Sequence, residues 1–526
     1  MNAKLASATV VETKITNNQA KVSAYQSLQT LLSTLGAGAT PLASSNTSLL
    51  SSSIFSARTA NISASGNVTP SSVLSMTLNN GAPSGNYTLS IKQIALAQQV
   101  AGTSVTNQTA ALGYAGTFSL GLQDGNSANI SITPGMTLQD VVATINAQSS
   151  TTNVQASIVQ VSSTQYQMVL TAANDGVNIV TSSVSGDNVL NKLGVTDASG
   201  DFADVIQAAQ PAIMTLDGIQ ITRNTNDITD VLNGATFDLI QPTPAGTSLN
   251  IAVSTDTSQI QTALQTLVTD YNAVRDFVTS QQQTGTDGTA AAGTVLFGDG
   301  TMNDIMTQLQ SAMNTTVNGL SLNDLGLSFS STNDLQLNTS TLQTILSSNL
   351  QGVESLLASQ ATASSSDLST IAAGSGAPGS FSLDVAVDGS GNLVSASVGG
   401  DSSLFTVSGN SIIGNAGTAY AGMAFDYSGN TSQSITVTTT PGIASLLSNI
   451  ATANADPLNG SLQVLVGNLQ TQDTTMQQQV SDIQANAATY QTQLQNQYAQ
   501  YQAAIQQATT TMNFLTVLLN TESKSS

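Results

Sequence analysis

LQVLVGNLQTQDTTMQQQVSDIQANAATYQTQLQNQYAQYQAAIQQATTTMNFLTVLL (Leu462–Leu519) is the stretch that decides the fold. Its apolar positions are Leu462, Leu465, Leu469, Met476, Val480, Ile483, Ala487, Tyr490, Leu494, Tyr498, Tyr501, Ile505, Ala508, Met512, Leu515 and Leu519. Nearly all the gaps are three or four residues, which lays them in one stripe along a helix. The stripe skips a place at Gln472/Asp473 and takes two steps of four around Leu494, a stutter that locally relaxes a supercoil. At about 1.5 Å per residue such a helix is roughly 85 Å long. It cannot cover that seam against a compact domain alone and needs another helix of similar length.

The start of the chain offers one. A helix is predicted from about Lys4 to Leu35, with Ala8, Val11, Ile15, Val22, Tyr25, Leu28, Leu32 and Leu35 on one stripe. Asn18 falls on the same stripe, where a polar residue can set register. Gly36, Gly38 and Pro41 are expected to end the helix, and Ser44–Ser53 reads as a linker. The two ends then face each other, and everything between them is an insertion, a head on a helical stalk. Asp473 and Asp482 are the only charges between Leu462 and Leu519. Ordinary coiled coils carry Glu and Lys beside the seam. Two readings follow: an intramolecular helical hairpin solvated by amides, or a helix packed on several sides by neighbouring subunits. The close Met512-Asn513-Phe514-Leu515-Thr516-Val517-Leu518-Leu519, apolar nearly all round, favours the second.

The middle changes period. From about Ser71 to Ser254 it alternates, as in Tyr87–Ile91, Ala115–Leu122 and Asn129–Gly135. Thr137 with Asp140 forms a capping-box arrangement ahead of a short helix whose apolar face is Leu138, Val141, Val142 and Ile145. Val154–Ala172 reads as a hairpin, followed by strands at Ala212–Arg223, Ala235–Gln241 and Ser248–Ser254. A helix resumes at Asp256, striped by Ile260, Leu264, Leu267, Tyr271, Val274 and Val278. Helices are predicted at Asn303–Val317 and Ser340–Leu357, and a Gly-rich β module at Ala361–Thr440. PGSFSLDVAV in that module echoes SGNYTLSI and AGTFSLGL, as any hairpin after a Gly turn does.

Composition narrows function. Nine Lys+Arg against 30 Asp+Glu give a net charge of −21, which argues against nucleic acid and against an anionic membrane surface. With no Cys and no His, disulfides, thiolate metal sites and Ser-His-Asp or Cys-His catalysis are out of reach. The Asp-Gly steps, such as Asp124-Gly125, Asp217-Gly218 and Asp299-Gly300, fit no calcium-loop pattern and read as turns. Aromatics are 4% and Trp is absent, leaving little for a sugar-binding cleft. No enzyme, cofactor or metal is expected. The N-terminus has no apolar signal core, and no stretch is apolar enough to insert in a membrane. A leaderless export route reconciles this with the charge-poor, Ser/Thr/Asn/Gly-rich composition.

Helical end, β head and helical end with an apolar close is the plan of flagellar axial proteins. Within that group the chain resembles the filament cap, or hook-associated protein 2, family. Tyr87–Gln99 looks like that family's first head strand. LDGIQITRNTNDITDVLNGATFDLI (Leu216–Ile240) resembles its head signature, here Asp217, Gly218, Arg223, Asn226, Asp230, Val231, Gly234 and Thr236. Tyr271-Asn272, Gly293–Gln310, Leu325–Asn349 and Pro441–Ala444 also match, so the resemblance spans nearly the whole chain.

The resemblance implies an α+β multidomain protein with long coiled-coil ends forming a leg and nested, mainly antiparallel β head domains. The expected division is 1–45 N-terminal leg helix, 46–70 linker and part of the helical domain, and 71–110 with 206–255 a β head domain. Residues 111–205 form an α/β domain inserted in that head, 256–360 with 441–461 a helical domain, 361–440 an additional β module, and 462–526 the C-terminal leg helix. The family's mechanism is steric: a ring-shaped homo-oligomer at the extracellular tip of the flagellum promotes folding and insertion of exported flagellin and prevents its loss. Implied partners are itself, flagellin, hook–filament junction proteins and a flagellar type III export chaperone, with no cleaved signal peptide. The stripe residues Val22, Tyr25, Leu28, Leu32, Leu494, Tyr501, Ile505, Met512, Leu515 and Leu519 are the expected assembly surface. Two departures stand out. The family's Gly-Leu-Asp-like start is missing, so the N-terminal leg is expected to be shortened or the sequence to start inside it. The 361–440 module exceeds a minimal cap. Rival readings are another axial protein, namely a flagellin or junction protein, or a secreted coiled-coil adhesin.

Overall fold

The computed structural model describes residues 2–43, 53–374 and 376–522, with side chains from 5 to 520 within those ranges. The chain forms two compact units, Asn46–Thr257 and Met1–Ser45 with Ser258–Ser526.

Helix α1 (Asn2–Ala43) opens the second of these. It runs straight through Gly36, Gly38 and Pro41, where a stop was expected. The glycines mark close helix crossings instead. A Cβ on Gly36 would lie 2.7 Å from the Ala451 Cβ, and the Asp270 carboxylate lies against Gly38. Pro41 sits in the last turn, where it gives up one N–H to C=O bond of the helix and has little helix left to disturb. Of the expected Ser44–Ser53 linker, all but Ser53 lies outside the described residues.

The unit of residues 46–257 is two nested β lobes. Its strands are β1 (Arg58–Ala64), β2 (Leu74–Leu78), β3 (Gly85–Gln93), β4 (Ala97–Ala101), β5 (Gly116–Leu122), β6 (Ser127–Ile132), β7 (Val154–Ser162) and β8 (Gln165–Asp175). There follow β9 (Ile179–Gly186), β10 (Asp204–Gln207), β11 (Ala212–Leu216), β12 (Ile219–Arg223), β13 (Asp227–Ile228), β14 (Ala235–Leu239) and β15 (Leu249–Thr255). Helix α2 (Leu138–Ala147) and the single turns α3 (Ser149–Thr152) and α4 (Val189–Lys192) complete it. The outer lobe packs the sheet β1-β15-β3-β11-β12 against β13-β14-β2. Leu89, Ile91, Met214, Phe237 and Ile251 fill its core, each from the inward positions of an alternating strand. The inner lobe packs β10-β4-β8-β7, β6-β5-β9 and α2 around Phe118, Leu120, Val141, Ile145 and Leu170. The capping box at α2 forms as read, Thr137 and Asp140 exchanging hydrogen bonds. Those bonds hold the Asp140 carboxyl below the usual range. Residues 58–64, assigned to the linker segment, are a strand of the outer sheet: Arg58–Ala64 pairs antiparallel with Leu249–Thr255. Its alternation Thr59/Asn61/Ser63 against Ala60/Ile62/Ala64 is weak, because three of seven side chains are merely small or medium apolar groups.

The remaining unit resumes with α5 (Thr257–Gln281), whose predicted stripe from Ile260 to Val278 is buried throughout. Next come α6 (Gly300–Met313), a short hairpin at Leu327–Leu337, α7 (Thr339–Ser348) and α8 (Leu350–Leu357). The single helix expected over Ser340–Leu357 is broken at Asn349, whose side chain accepts from Gly352 N and caps α8. Residues 360–440 form two four-stranded antiparallel sheets over their own core, with Phe381, Leu383, Phe425 and Ile435 inside. Helices α9 (Ile443–Ala455) and α10 (Ser461–Glu522) follow.

Burial raises the pKa of Glu354 on α8. The folded state therefore binds its proton more tightly than the unfolded chain does. Stability gains as pH falls through the raised folded value, and the gain is complete below the ordinary glutamate range. At neutral pH the charge is a cost, so Glu354→Gln is expected to raise the melting temperature at pH 7. That difference should disappear below about pH 4. Thermal unfolding of both proteins across pH checks this; a Gln variant less stable at pH 7 would contradict it.

Candidate assembly surfaces

Helix α10 is 62 residues long and α1 is 42. The two pack against each other, with Leu462, Val466, Asp473 and Ala487 buried on α10 and Ala8 to Leu42 along α1. At the skipped stripe position the two irregularities meet: Asn18 Nδ2 donates to Gln472 Oε1 at 3.4 Å. Asp473 beside it is buried, and its Oδ1 has no partner within the chain. A polar layer of this kind sets the register of a helical seam at some cost in stability.

The expected assembly residues fall in two classes. Tyr25, Leu28 and Leu32 are buried inside the chain's own helical unit, and Val22 is half-buried. Tyr25 also donates its hydroxyl to Asp299 Oδ2 at 2.6 Å. Burial, and then the Asp299 carboxylate, push the Tyr25 phenol well above its ordinary pKa. Asp299 caps α6 through its other oxygen, to Met302 N at 3.2 Å. The Asp299-Gly300 step, read as a turn, is thus an N-cap tying α1 to α6. An Asp one place before a striped helix is the signal that could have found it.

The distal half of α10 is different. Beyond Ala487 no described residue of α10 is buried; Leu494 is half-buried, and Tyr501, Ile505, Met512, Leu515 and Leu519 are exposed. Phe514, Val517 and Leu518 are exposed as well. Among the described residues, the partner predicted for α10 covers its first half and leaves these positions bare. Along the distal half Thr489, Thr492, Thr509, Thr510, Thr511 and Thr516 each donate their hydroxyl to the carbonyl four residues back.

The head signature proves architectural. Asp217 and Gly218, at φ 49° and 83°, make the tight turn between β11 and β12. Asp217 also clips this turn to β3, accepting from Thr88 N at 2.7 Å. Arg223 forks onto both oxygens of Asp230 at 3.1 Å, which draws the Asp230 carboxyl below its usual range. Gly234, at φ 75°, offers its carbonyl to Asn79 N, and Thr236 pairs opposite Thr77. Asn226 clamps Ala95 from both ends, accepting from its N–H at 2.7 Å and donating to its C=O at 2.9 Å. A third bond runs from Asn226 Nδ2 to Asp175 of the inner lobe at 3.1 Å. Gln93, Gln207 and Gln210 staple the same junction to the carbonyls of Pro211, Ala97 and Ile94. Amide side chains thus hold the joint between the lobes.

Among the described residues no group of three or more His, Cys, Asp or Glu is placed to hold a metal ion. Among them, too, no helix is long and apolar enough to cross a membrane.

Residues 209–510 match the model of the flagellar hook-associated protein 2 C-terminus, and residues 1–98 that of its N-terminus. Residues 117–174, in the inner lobe, match the flagellin hook IN motif. Flagellar hook-associated protein 2 of Escherichia coli K12 is 29% identical over 376 residues, covering 66% of this chain and 74% of that protein. The B-type flagellar hook-associated protein 2 of Pseudomonas aeruginosa is 24% identical over 51% of this chain and 60% of its own length. The crystal structure of three domains of the flagellar cap protein FliD from Escherichia coli superposes with a TM-score of 0.50 at 25% identity. It covers 64% of this chain and 90% of that one.

Proposed function

Because this chain belongs to the flagellar hook-associated protein 2 family and serves as a flagellar filament cap, we propose that it works as a homo-oligomer whose free α10 halves pack against filament subunits. The cap is an extracellular part of the flagellum, at the filament tip. The observation that carries the proposal is the bare apolar stripe from Tyr498 to Leu519, exposed to solvent over a helical half with no charged residue before Leu519. Isolated helices in water do not keep such a stripe uncovered without a use. Its amides, threonines and alanines fit a protein environment on several sides, where charges would be costly. In this reading the oligomer gives exported flagellin a sheltered place to fold and insert, by steric and conformational means. Junction proteins are its contacts before the filament grows. A type III export chaperone covers the same stripe before secretion, and no signal peptide is cleaved.

Deleting the gene tests this against the rival readings. The expected result is a non-motile strain with unpolymerised flagellin in the medium. A flagellin or junction-protein role predicts loss of the filament material or of its attachment instead. An adhesin role predicts normal filaments, and that outcome would refute the proposal.

A further inference from the structure

The inner lobe contains an unusual sheet. Its order is β10-β4-β8-β7 with every neighbour antiparallel, so both outer strands are open edges of one sheet. The β7 edge is closed only at its start. There Asn146 of α2 mimics a strand, donating to Ala156 O and accepting from Ala156 N, both at 2.8 Å. From Ile158 onward no such cover is seen among the described residues. That is where the strand turns apolar and exposed, with Val159 at 46% and Val161 at 47% of full exposure. The opposite edge, β10, exposes Val205 at 44% and Ile206 at 54%. Natural proteins guard open edges with charge, proline or a bulge. β7 has no charge and no proline, only a register shift between Gln160 and Ser162 near its end, and β10 has a bulge between Val205 and Gln207 and an aspartate at Asp204.

We propose that these two edges join, β7 of one copy to β10 of the next, as the subunit-to-subunit contact of the head. This rests on the self-association proposed above and names its surface. Charge favours this pairing. The chain carries a net −21, so copies repel except where charge is thin. No charged residue occurs between Asp140 and Asp175, a span that contains all of β7 and most of β8. Pairing β10 with another β10 would instead bring Asp204 towards its own copy. Topology favours it too. With four alternating strands, β7 runs opposite to β10. A neighbour that continues the sheet therefore meets β7 in the antiparallel sense, the slightly stronger mode. Joining two different patches head to tail builds a ring when the rotation closes, which a β7–β7 contact cannot do.

The absence of cysteine makes the test clean. Full-length chain carrying Val161→Cys and Val205→Cys together is treated with a short bis-maleimide, alongside each single variant and analytical ultracentrifugation. A ladder of covalent multimers from the double variant, with both single variants remaining monomeric on denaturing gels, is expected. A second pair checks the polarity: Val159→Lys/Val161→Lys mixed with Val205→Lys/Ile206→Lys retains one good joint and should stop at a dimer. Cross-linking by Val161→Cys alone would overturn the head-to-tail joint. Oligomers in the centrifuge without any cross-link would overturn this surface while leaving self-association standing. A chain that neither sediments as an oligomer nor cross-links would overturn both.

Discussion

Removing Met512–Ser526 from the otherwise intact chain is expected to abolish motility while leaving the unit of residues 46–257 folded. The segment carries Met512, Phe514, Leu515, Val517, Leu518 and Leu519, all exposed. Fully burying side chains of this kind is worth about 1.5–3 kcal/mol each. Six of them give a gross gain of order 10 kcal/mol, and ordering costs on association take back a large part. Losing even a third of the gain would weaken docking by two orders of magnitude or more, since about 1.4 kcal/mol is tenfold. Within the chain, by contrast, these residues pack on no core that the truncation would open. Swimming assays with secreted flagellin measured in the medium read the first half of the expectation. Hydrogen exchange on the purified variant reads the second. A truncated protein that supports normal filaments would mean that the stripe is not a docking surface.

Gly36→Leu should have the largest effect on stability. Gly36 lies in helical backbone, so replacing it relieves a propensity cost of about 1 kcal/mol. A Cβ there, however, comes within 2.7 Å of the Ala451 Cβ, which cannot swing aside. Overpacking of this kind typically costs about 1–3 kcal/mol for a few methylenes, occasionally more. For alanine the two effects nearly cancel. Leucine adds a branched side chain beyond a Cβ already too near Ala451, and we expect a net loss of about 3 kcal/mol with α1 displaced from α9. Circular dichroism during thermal unfolding should show the helical transition shifted to lower temperature and the β lobes unchanged. A leucine variant as stable as the parent would show that the crossing is looser than described.

The same glycine explains where reading the sequence stopped short. A glycine past a stripe of leucines signals a helix end, and it equally permits two helices to touch. Which applies depends on Ala451, over 400 residues away, and no local pattern reveals it. The stripes themselves were legible: every position from Ile260 to Val278 predicted inside is inside. So were the capping box at Thr137, the 154–172 hairpin and the β module read at 361–440. The β1 strand was not, since Ala and Ser alternate too faintly to be seen without the partner strand. Periodicity placed Tyr25 and Leu515 on equal terms, and only the folded helices show that Tyr25 is covered by its own chain while Leu515 is bare. Asn226 was quoted as part of a signature, but its double hold on Ala95 depends on a fold that brings residues 131 positions apart together.

The threonines of the distal α10 have a further consequence. A hydroxyl that already donates to its own helix demands nothing from whatever surrounds it. Thr489, Thr492, Thr509, Thr510, Thr511 and Thr516 are satisfied alike in water and in a dry interface. With no charge to strip of its hydration and these hydroxyls already satisfied, drying the helix leaves mainly its glutamine and asparagine amides to be paired by whatever packs there. A helix studded with lysine and glutamate would adhere more selectively but would resist being dried and rewetted. This one is built for attachment that can be undone.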